Sequence, residues 1–210
     1  MKRIIDLFLK AVLTGFAIGV GGAVYLSCDN KYIGAFLFGL GLFMVLFFGY
    51  NLFTGKVGYA VENKPSYLLD LGVIWLGNLA GTVIMGLLLL FTRISATLEE
   101  KAAGICETKL NDSLVSIFIL AFFCGILMFV AADGFKRINN PIGQVIVIFL
   151  PVMVFILSGY EHCVANMFYF TVGEVWSLKT FGYLLIMSLG NAAGGIFIPL
   201  VRKGFVKEKA

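Results

Sequence analysis

The amino-acid sequence predicts an all-α integral membrane protein whose six transmembrane helices form an inverted repeat of three plus three. The first observation is composition: 60% of the 210 residues are hydrophobic and 13% are charged. So few charged residues cannot supply the polar surface of a water-soluble domain. The second observation is a set of six long apolar stretches, and the third is a pair of short phrases that occur twice in the same order.

The apolar stretches are each long enough to cross a bilayer, which requires about 20 residues. The predicted spans are 10–28, 32–61, 67–92, 113–133, 142–172 and 177–202. The second and fifth run to about 30 residues, too long for one untilted crossing. We therefore expect each of these two to be a broken helix with a short non-helical link.

The repeated phrases lie within or just after the long stretches. Residues 49–56 read Gly-Tyr-Asn-Leu-Phe-Thr-Gly-Lys and residues 159–166 read Gly-Tyr-Glu-His-Cys-Val-Ala-Asn. Residues 77–81, Gly-Asn-Leu-Ala-Gly, return as Gly-Asn-Ala-Ala-Gly at 190–194. Two three-span units joined in series have opposite topology, which places the two breaks face to face at the membrane midplane. The sequence thus predicts that residues 52–54 approach residues 161–162.

The chain is predicted to be one transmembrane domain over residues 1–210. Repeat one covers about 1–95, an outer polar loop about 96–111, and repeat two about 112–210. Eleven of the sixteen Lys and Arg residues fall on one side of this arrangement, so both termini are predicted to be cytoplasmic in the inner (plasma) membrane. That set comprises Lys2, Arg3, Lys10, Lys56, Lys64, Lys136, Arg137, Arg202, Lys203, Lys207 and Lys209. The basic balance reflects topology, and nucleic-acid binding is not indicated.

The composition of polar residues argues against several classes of function. His162 is the only histidine, and the four cysteines are widely spaced, so neither a metal site nor a cofactor is predicted. A haem protein or membrane enzyme would need several histidines or a ligand cluster. A neutral-solute pore of the water or glycerol type would be supported by paired Asn-Pro-Ala boxes, and the sequence contains none.

The chain resembles the formate/nitrite transporter family in four phrases in the same order and spacing. They are Gly159–Met167, Leu52–Gly55, Gly77-Asn78 and Gly190-Asn191. The resemblance implies an aquaporin-like homopentamer in which each protomer has its own pore through the lipid bilayer. It implies transport of a small monovalent anion of a weak acid, formate or nitrite, with protons as a partner, and hydrosulfide is the alternative within the family.

The same resemblance assigns site residues. Its central histidine falls on His162, its loop threonine on Thr54, and its outer lysine on Lys109. Its hydrophobic constrictions match Leu42 and Phe155 on the inner side and Leu52 on the outer side, although core packing explains the same three residues.

Each polar candidate has two interpretations at this stage. Thr54 either caps a restarting helix only or also donates its hydroxyl to a passing anion. His162 either donates a hydrogen bond to the anion or gives it a proton. Lys109 either concentrates anions at the outer mouth or is an ordinary solvated lysine.

The remaining polar groups are predicted to support the breaks. Asn78, Asn166 and Asn191 are expected to bind backbone groups of the broken helices. Glu161 is expected to bind backbone at the break or to link neighbouring protomers. Lys56 departs from the family, which usually has a small or neutral residue there, and its role stays open.

Overall fold

The computed structural model describes residues 1–207 and is helical, with no strand in that range. The helices are α1 (Lys2–Ser27), α2 (Lys31–Phe47), α3 (Phe53–Lys56), α4 (Tyr67–Leu90), α5 (Ser95–Leu110), α6 (Leu114–Arg137), α7 (Pro141–Leu157), α8 (Cys163–Val172) and α9 (Leu178–Lys207), with a 3-10 segment at Val57–Val61. Residues 208–210, including Lys209 of the predicted cytoplasmic set, lie outside the described residues.

Four helices, α1, α4, α6 and α9, are both long and apolar enough to cross a membrane. They correspond to the predicted first, third, fourth and sixth spans. Helix α1 begins at Lys2, earlier than the predicted residue 10, because its polar first turns continue the apolar helix without a break. The protein is therefore a multi-pass membrane protein.

Each of the two longest predicted spans consists of separate helices. Residues 48–52 link α2 to α3, and residues 158–162 link α7 to α8. Gly49 and Gly159 terminate α2 and α7 in the left-handed region, with φ of 67° and 70°. The N–H groups of Tyr50 and Tyr160 donate hydrogen bonds to the carbonyls five residues earlier in the chain, at 2.8 and 2.9 Å. Both ends are thus glycine-terminated Schellman turns.

The residues predicted to form an outer polar loop are helical and make up α5. Leu98, Ala102 and Cys106, spaced four apart, are fully buried on one face of this helix. An amphipathic face of that kind stabilises a helix that packs on the body of a protein. Burial raises the pKa of the Cys106 thiol to about 12.

The two halves pack in the same way. Helix α1 packs on α4 and on α2, and α6 packs correspondingly on α9 and on α7. Helices α2 and α7 contact each other antiparallel, since Phe38 meets Phe155 while Phe43 meets Phe149. Equivalent helices of the two halves therefore point in opposite directions, as an inverted repeat requires.

Candidate functional site

The two links between helices have matching backbone hydrogen bonds. Asn78 accepts from the Phe53 N–H at 2.9 Å and donates to the carbonyls of Asn51 and Ala11 at 2.8 and 2.9 Å. Asn191 accepts from the Cys163 N–H and donates to the carbonyls of Glu161 and Ala121 at 2.7 to 2.8 Å. Both asparagines are fully buried. The prediction that they bind the backbone of the breaks is confirmed.

The first residues of α3 and α8 meet in the interior. Thr54 Oγ1 and His162 Nε2 lie 2.8 Å apart, and both residues are buried. The sequence predicted that residues 52–54 approach residues 161–162, and this contact places them together. Because each residue belongs to a helix start, two sets of N-terminal N–H groups lie close to the contact.

The contacts of His162 assign its tautomer. Nδ1 accepts the N–H of Ala165 at 3.1 Å, which caps helix α8. In a neutral ring the proton therefore resides on Nε2, and Nε2–H donates to Thr54 Oγ1. A second ring proton on Nδ1 would meet the Ala165 N–H and remove the cap, so the fold favours the neutral ring.

Glu161 and Lys109 form a buried ion pair. Lys109 Nζ lies 2.5 Å from Glu161 Oε2, and the side chains are 14% and 4% exposed. Asn166 donates to the same carboxylate oxygen at 2.7 Å and to the His162 carbonyl at 3.1 Å. Its own Oδ1 is buried and has no hydrogen-bond partner among the described residues.

This pair corrects two expectations. The Glu161 side chain binds Lys109 and Asn166, whereas backbone was expected. Lys109 does not act as a free charge at a mouth, because its charge is neutralised by the carboxylate. Asn166 meets its expectation in part, since only one of its two bonds is to backbone.

Two cavities lie at opposite ends of α2. One, of about 330 Å³, is lined by Lys31, Lys109, Phe155 and Glu161, and we call it the Lys109 cavity. The other, of about 100 Å³, is lined by the last residues of α2 with Leu52, Lys56 and Lys136, and we call it the Lys56 cavity. Lys31 begins α2 and the second cavity adjoins its last turn, so the length of this helix, about 25 Å, separates them.

The cavities correct the sides assigned to the constrictions. Phe155 lines the Lys109 cavity, and its ring centroid lies 5.5 Å from that of His162. Leu52 lines the Lys56 cavity. Phe155 therefore lies on the side of Lys109 and Leu52 on the side of Lys56, the reverse of the expected arrangement, because α2 and α7 end at opposite faces. Leu42 is buried in the core and lines neither cavity.

Sequence reasoning missed Lys31, which lines the Lys109 cavity. Its Nζ donates to the Leu157 carbonyl at 3.5 Å, and it has no carboxylate partner among the described residues. Nothing in the sequence distinguishes it from a solvated lysine. No group of three or more potential metal ligands occurs within residues 1–207.

An all-helical membrane fold, an inverted pair of helix starts and a polar contact buried between two cavities define a transport protein of the bilayer. A family profile described as "Formate/nitrite transporter" matches residues 1–202. The chain belongs to the formate/nitrite transporter family, whose members are channels and transporters and not enzymes.

Named relatives agree with this assignment. The "Probable formate transporter" of Methanothermobacter thermautotrophicus is 30% identical, covering 90% of this chain and 79% of its own. The "Formate channel FocA" of Haemophilus influenzae is 27% identical, covering 83% of this chain and 68% of its own. A solved "Pentameric formate channel with formate bound" is 25% identical and superposes with a TM-score of 0.82 over 98% of both chains.

Proposed function

We propose that this protein is a channel or proton-linked carrier for small monovalent anions of weak acids, with formate or nitrite as substrate. The observation that carries the proposal is the Thr54–His162 contact, because it is the one place where both helix starts and both interrupted segments converge. The names of the relatives, which include formate channels and transporters, support the same substrate class.

The site provides hydrogen-bond donors in place of a fixed positive charge. A small anion that loses water in the membrane needs such donors. The Thr54 hydroxyl accepts from Nε2–H and keeps its own proton to donate to an anion, and the Nε2–H of the neutral His162 becomes a second donor when that contact opens. Donors without a full counter-charge bind an anion only weakly, so the anion can leave the site again, as conduction requires.

The same neutral ring favours one of the two roles considered for His162. A histidine that transfers a proton to the substrate must gain a second ring proton in each cycle. Here that proton would displace the Ala165 N–H from Nδ1. We therefore propose that His162 acts as a hydrogen-bond donor, and that any proton reaches a weak-acid anion from the aqueous cavity.

Assembly and topology complete the proposal. Helices α2 and α3 with their link form one interrupted span, and α7 and α8 form another, which with the four long helices makes six spans. Five protomers associate as in the matched formate channel, each with its own path. Both termini face the cytoplasm in the inner membrane, with Lys56 and Lys136 on that side.

The test is flux of formate, nitrite and hydrosulfide into proteoliposomes, with glycerol as the neutral solute. The native chain is compared with the variants His162→Gln, His162→Ala and Thr54→Ala across external pH. Glutamine keeps an N–H donor at about the reach of Nε2 and has no titrating group. We expect His162→Gln to keep most of the native rate and pH profile, and the two alanine variants to lose about tenfold or more.

Each contrary result has a distinct meaning. Glycerol flux without anion flux would overturn the anion proposal. Loss of the pH dependence in His162→Gln, with His162→Ala identical to it, would show that the ring itself carries the proton. If hydrosulfide flux is the largest, the substrate is hydrosulfide in place of formate or nitrite, and the proposed site is unchanged.

A further inference from the structure

Lys56 carries a charge that the proposed conduction site does not use. Lys56 is the last residue of α3, two positions after Thr54 of the Thr54–His162 contact. Its side chain is half-buried and lines the Lys56 cavity together with Lys136. Among the described residues neither lysine forms an ion pair with a carboxylate.

Nearby carboxylates are engaged elsewhere. Asp133 binds Arg137 and Arg202 at 2.7 and 2.8 Å. Asp6 pairs with Lys10 at 3.0 Å. Glu62 is exposed and lines two other surface depressions. No Asp or Glu among the residues whose side chains are described lines the Lys56 cavity, so the charge that these residues give it is positive.

Lys136 is held by an aromatic ring. Its Nζ lies 4.0 Å from the centroid of Tyr59. A cation over a ring face is attracted without being neutralised, so the positive charge at the cavity persists. Lys136 approaches from the end of α6 and Lys56 from α3, so the two amines reach the cavity from different elements.

A half-buried ammonium without a counter-ion is unfavourable, and a second one nearby adds repulsion. An anion in the cavity would relieve both effects. A volume of about 100 Å³ accommodates an anion of three or four heavy atoms, such as formate or nitrite. Leu52 and Gly55 form part of the wall, so an occupant would stand next to the constriction on this side.

We propose that Lys56 and Lys136 form an anion-binding site in the Lys56 cavity that holds one small monovalent oxyanion before or after it passes Leu52. The proposal rests on the proposed function and adds a specific site on the Lys56 side. Such a site raises the local substrate concentration at the Lys56 end, so the affinity for substrate that arrives from this side depends on the two lysines.

The first test is flux measured separately in each direction. Oriented vesicles of neutral phosphatidylcholine at low salt exclude anionic headgroups as occupants. Lys56→Gln and Lys136→Gln should raise the KM for formate about fivefold when formate starts on the Lys56 side, with the maximal rate little changed. The KM from the Lys109 side should stay at its native value.

Lys64→Gln is the matched control. Lys64 is exposed and lies outside the cavity, while its substitution removes the same charge. If Lys56→Gln and Lys136→Gln match Lys64→Gln in both directions, the site does not exist. If the native chain passes no anion, the proposed function fails, and a second measurement then decides this inference by itself.

The second measurement is the rate of reductive methylation of individual lysines in the intact oligomer by formaldehyde with sodium cyanoborohydride as the hydride donor, read by mass spectrometry of its peptides. The reagent is small enough to enter the cavity. We expect formate or nitrite to slow methylation of Lys56 severalfold and to leave Lys64 unchanged. Equal rates at Lys56 with and without the anion would overturn the proposal whatever the flux data show.

Discussion

The Lys109–Glu161 pair places two opposite charges beside the break between α7 and α8. Glu161 is the more enclosed partner, with 4% of its side chain exposed against 14% for Lys109. Both residues line the cavity of about 330 Å³, but Lys109 is the more exposed of the two, whereas the Glu161 carboxylate oxygen depends on Lys109 and Asn166 for its contacts. The two residues therefore differ in what each loses when its partner is removed.

We predict that Lys109→Met lowers thermal stability more than Glu161→Gln. Methionine leaves a buried carboxylate without its cation, at a cost of about 3 kcal/mol, while glutamine leaves an ammonium that can turn to water. The double variant should lose less than the sum of the single losses. Thermal unfolding of the detergent-solubilised oligomer measures all three, and strictly additive losses would show that the pair is not coupled.

At the scale of elements, glycines bring α4 into backbone contact with α1 in the first half and, in the same way, α9 with α6 in the second half. A Cβ on Gly81 would collide with the carbonyl oxygen of Val12 between α4 and α1. A Cβ on Gly194 would collide in the same way with the carbonyl oxygen of Phe122 between α9 and α6. Close approach of this kind lets helices associate where lipid offers no hydrophobic drive. It also sets the position of Asn78 and Asn191, each three residues before its glycine.

Gly194→Ala should destabilise the fold by about 1 to 3 kcal/mol and reduce flux, because α9 must move away from α6 and carries Asn191 with it. Gly182→Ala, in the same helix, meets nothing within 4 Å and should leave both properties unchanged. Fluorescence-detected size exclusion after heating reports stability, and proteoliposome flux reports function. Equal melting temperatures for the two variants would contradict the close-contact role.

At the scale of the whole molecule, apolar residues cover the outside as well as the core. Along α7, Ile142, Ile146, Leu150 and Val154 recur every fourth residue with 38% to 71% exposure. A stripe of this kind needs lipid or a neighbouring protomer. Inside, the Thr54–His162 contact lies among buried residues, and a cavity opens at each end of α2.

The proposed orientation predicts the accessibility of two engineered cysteines. The cysteines replace Glu100, an exposed residue of α5, and Lys64, an exposed residue in the turn before α4. In intact cells a membrane-impermeant maleimide should label the first and reach the second only after permeabilisation. Cys28 is partly exposed and is replaced by serine in both variants, whereas Cys106 does not interfere, since its buried thiol with a pKa of about 12 stays protonated near pH 7. Labelling of the second cysteine and not the first in intact cells would show that the proposed orientation is wrong.

Hydropathy and short local motifs determined much of this protein by themselves. The apolar stretches depend only on composition along the chain, and the Gly-Tyr and Gly-Asn phrases encode helix ends and their caps locally. They were sufficient to predict the membrane class, a break at each Gly-Tyr phrase, and the backbone role of Asn78 and Asn191. Helix α5 was not predicted. Its apolar residues Leu98, Ala102 and Cys106 recur every fourth residue, but most of the segment is polar, which favoured a loop.

Tertiary structure alone decided the features that depend on distance between remote residues. The pairing of Lys109 with Glu161, 52 residues apart, changed a proposed anion attractor into a neutralised group. The antiparallel contact of α2 and α7 placed Phe155 and Leu52 on opposite sides from those expected. The Lys56 cavity required the ends of three helices to meet. A sequence records which charged and aromatic side chains are present. Which of them pair, and which cavity each one lines, follows only from how the helices pack.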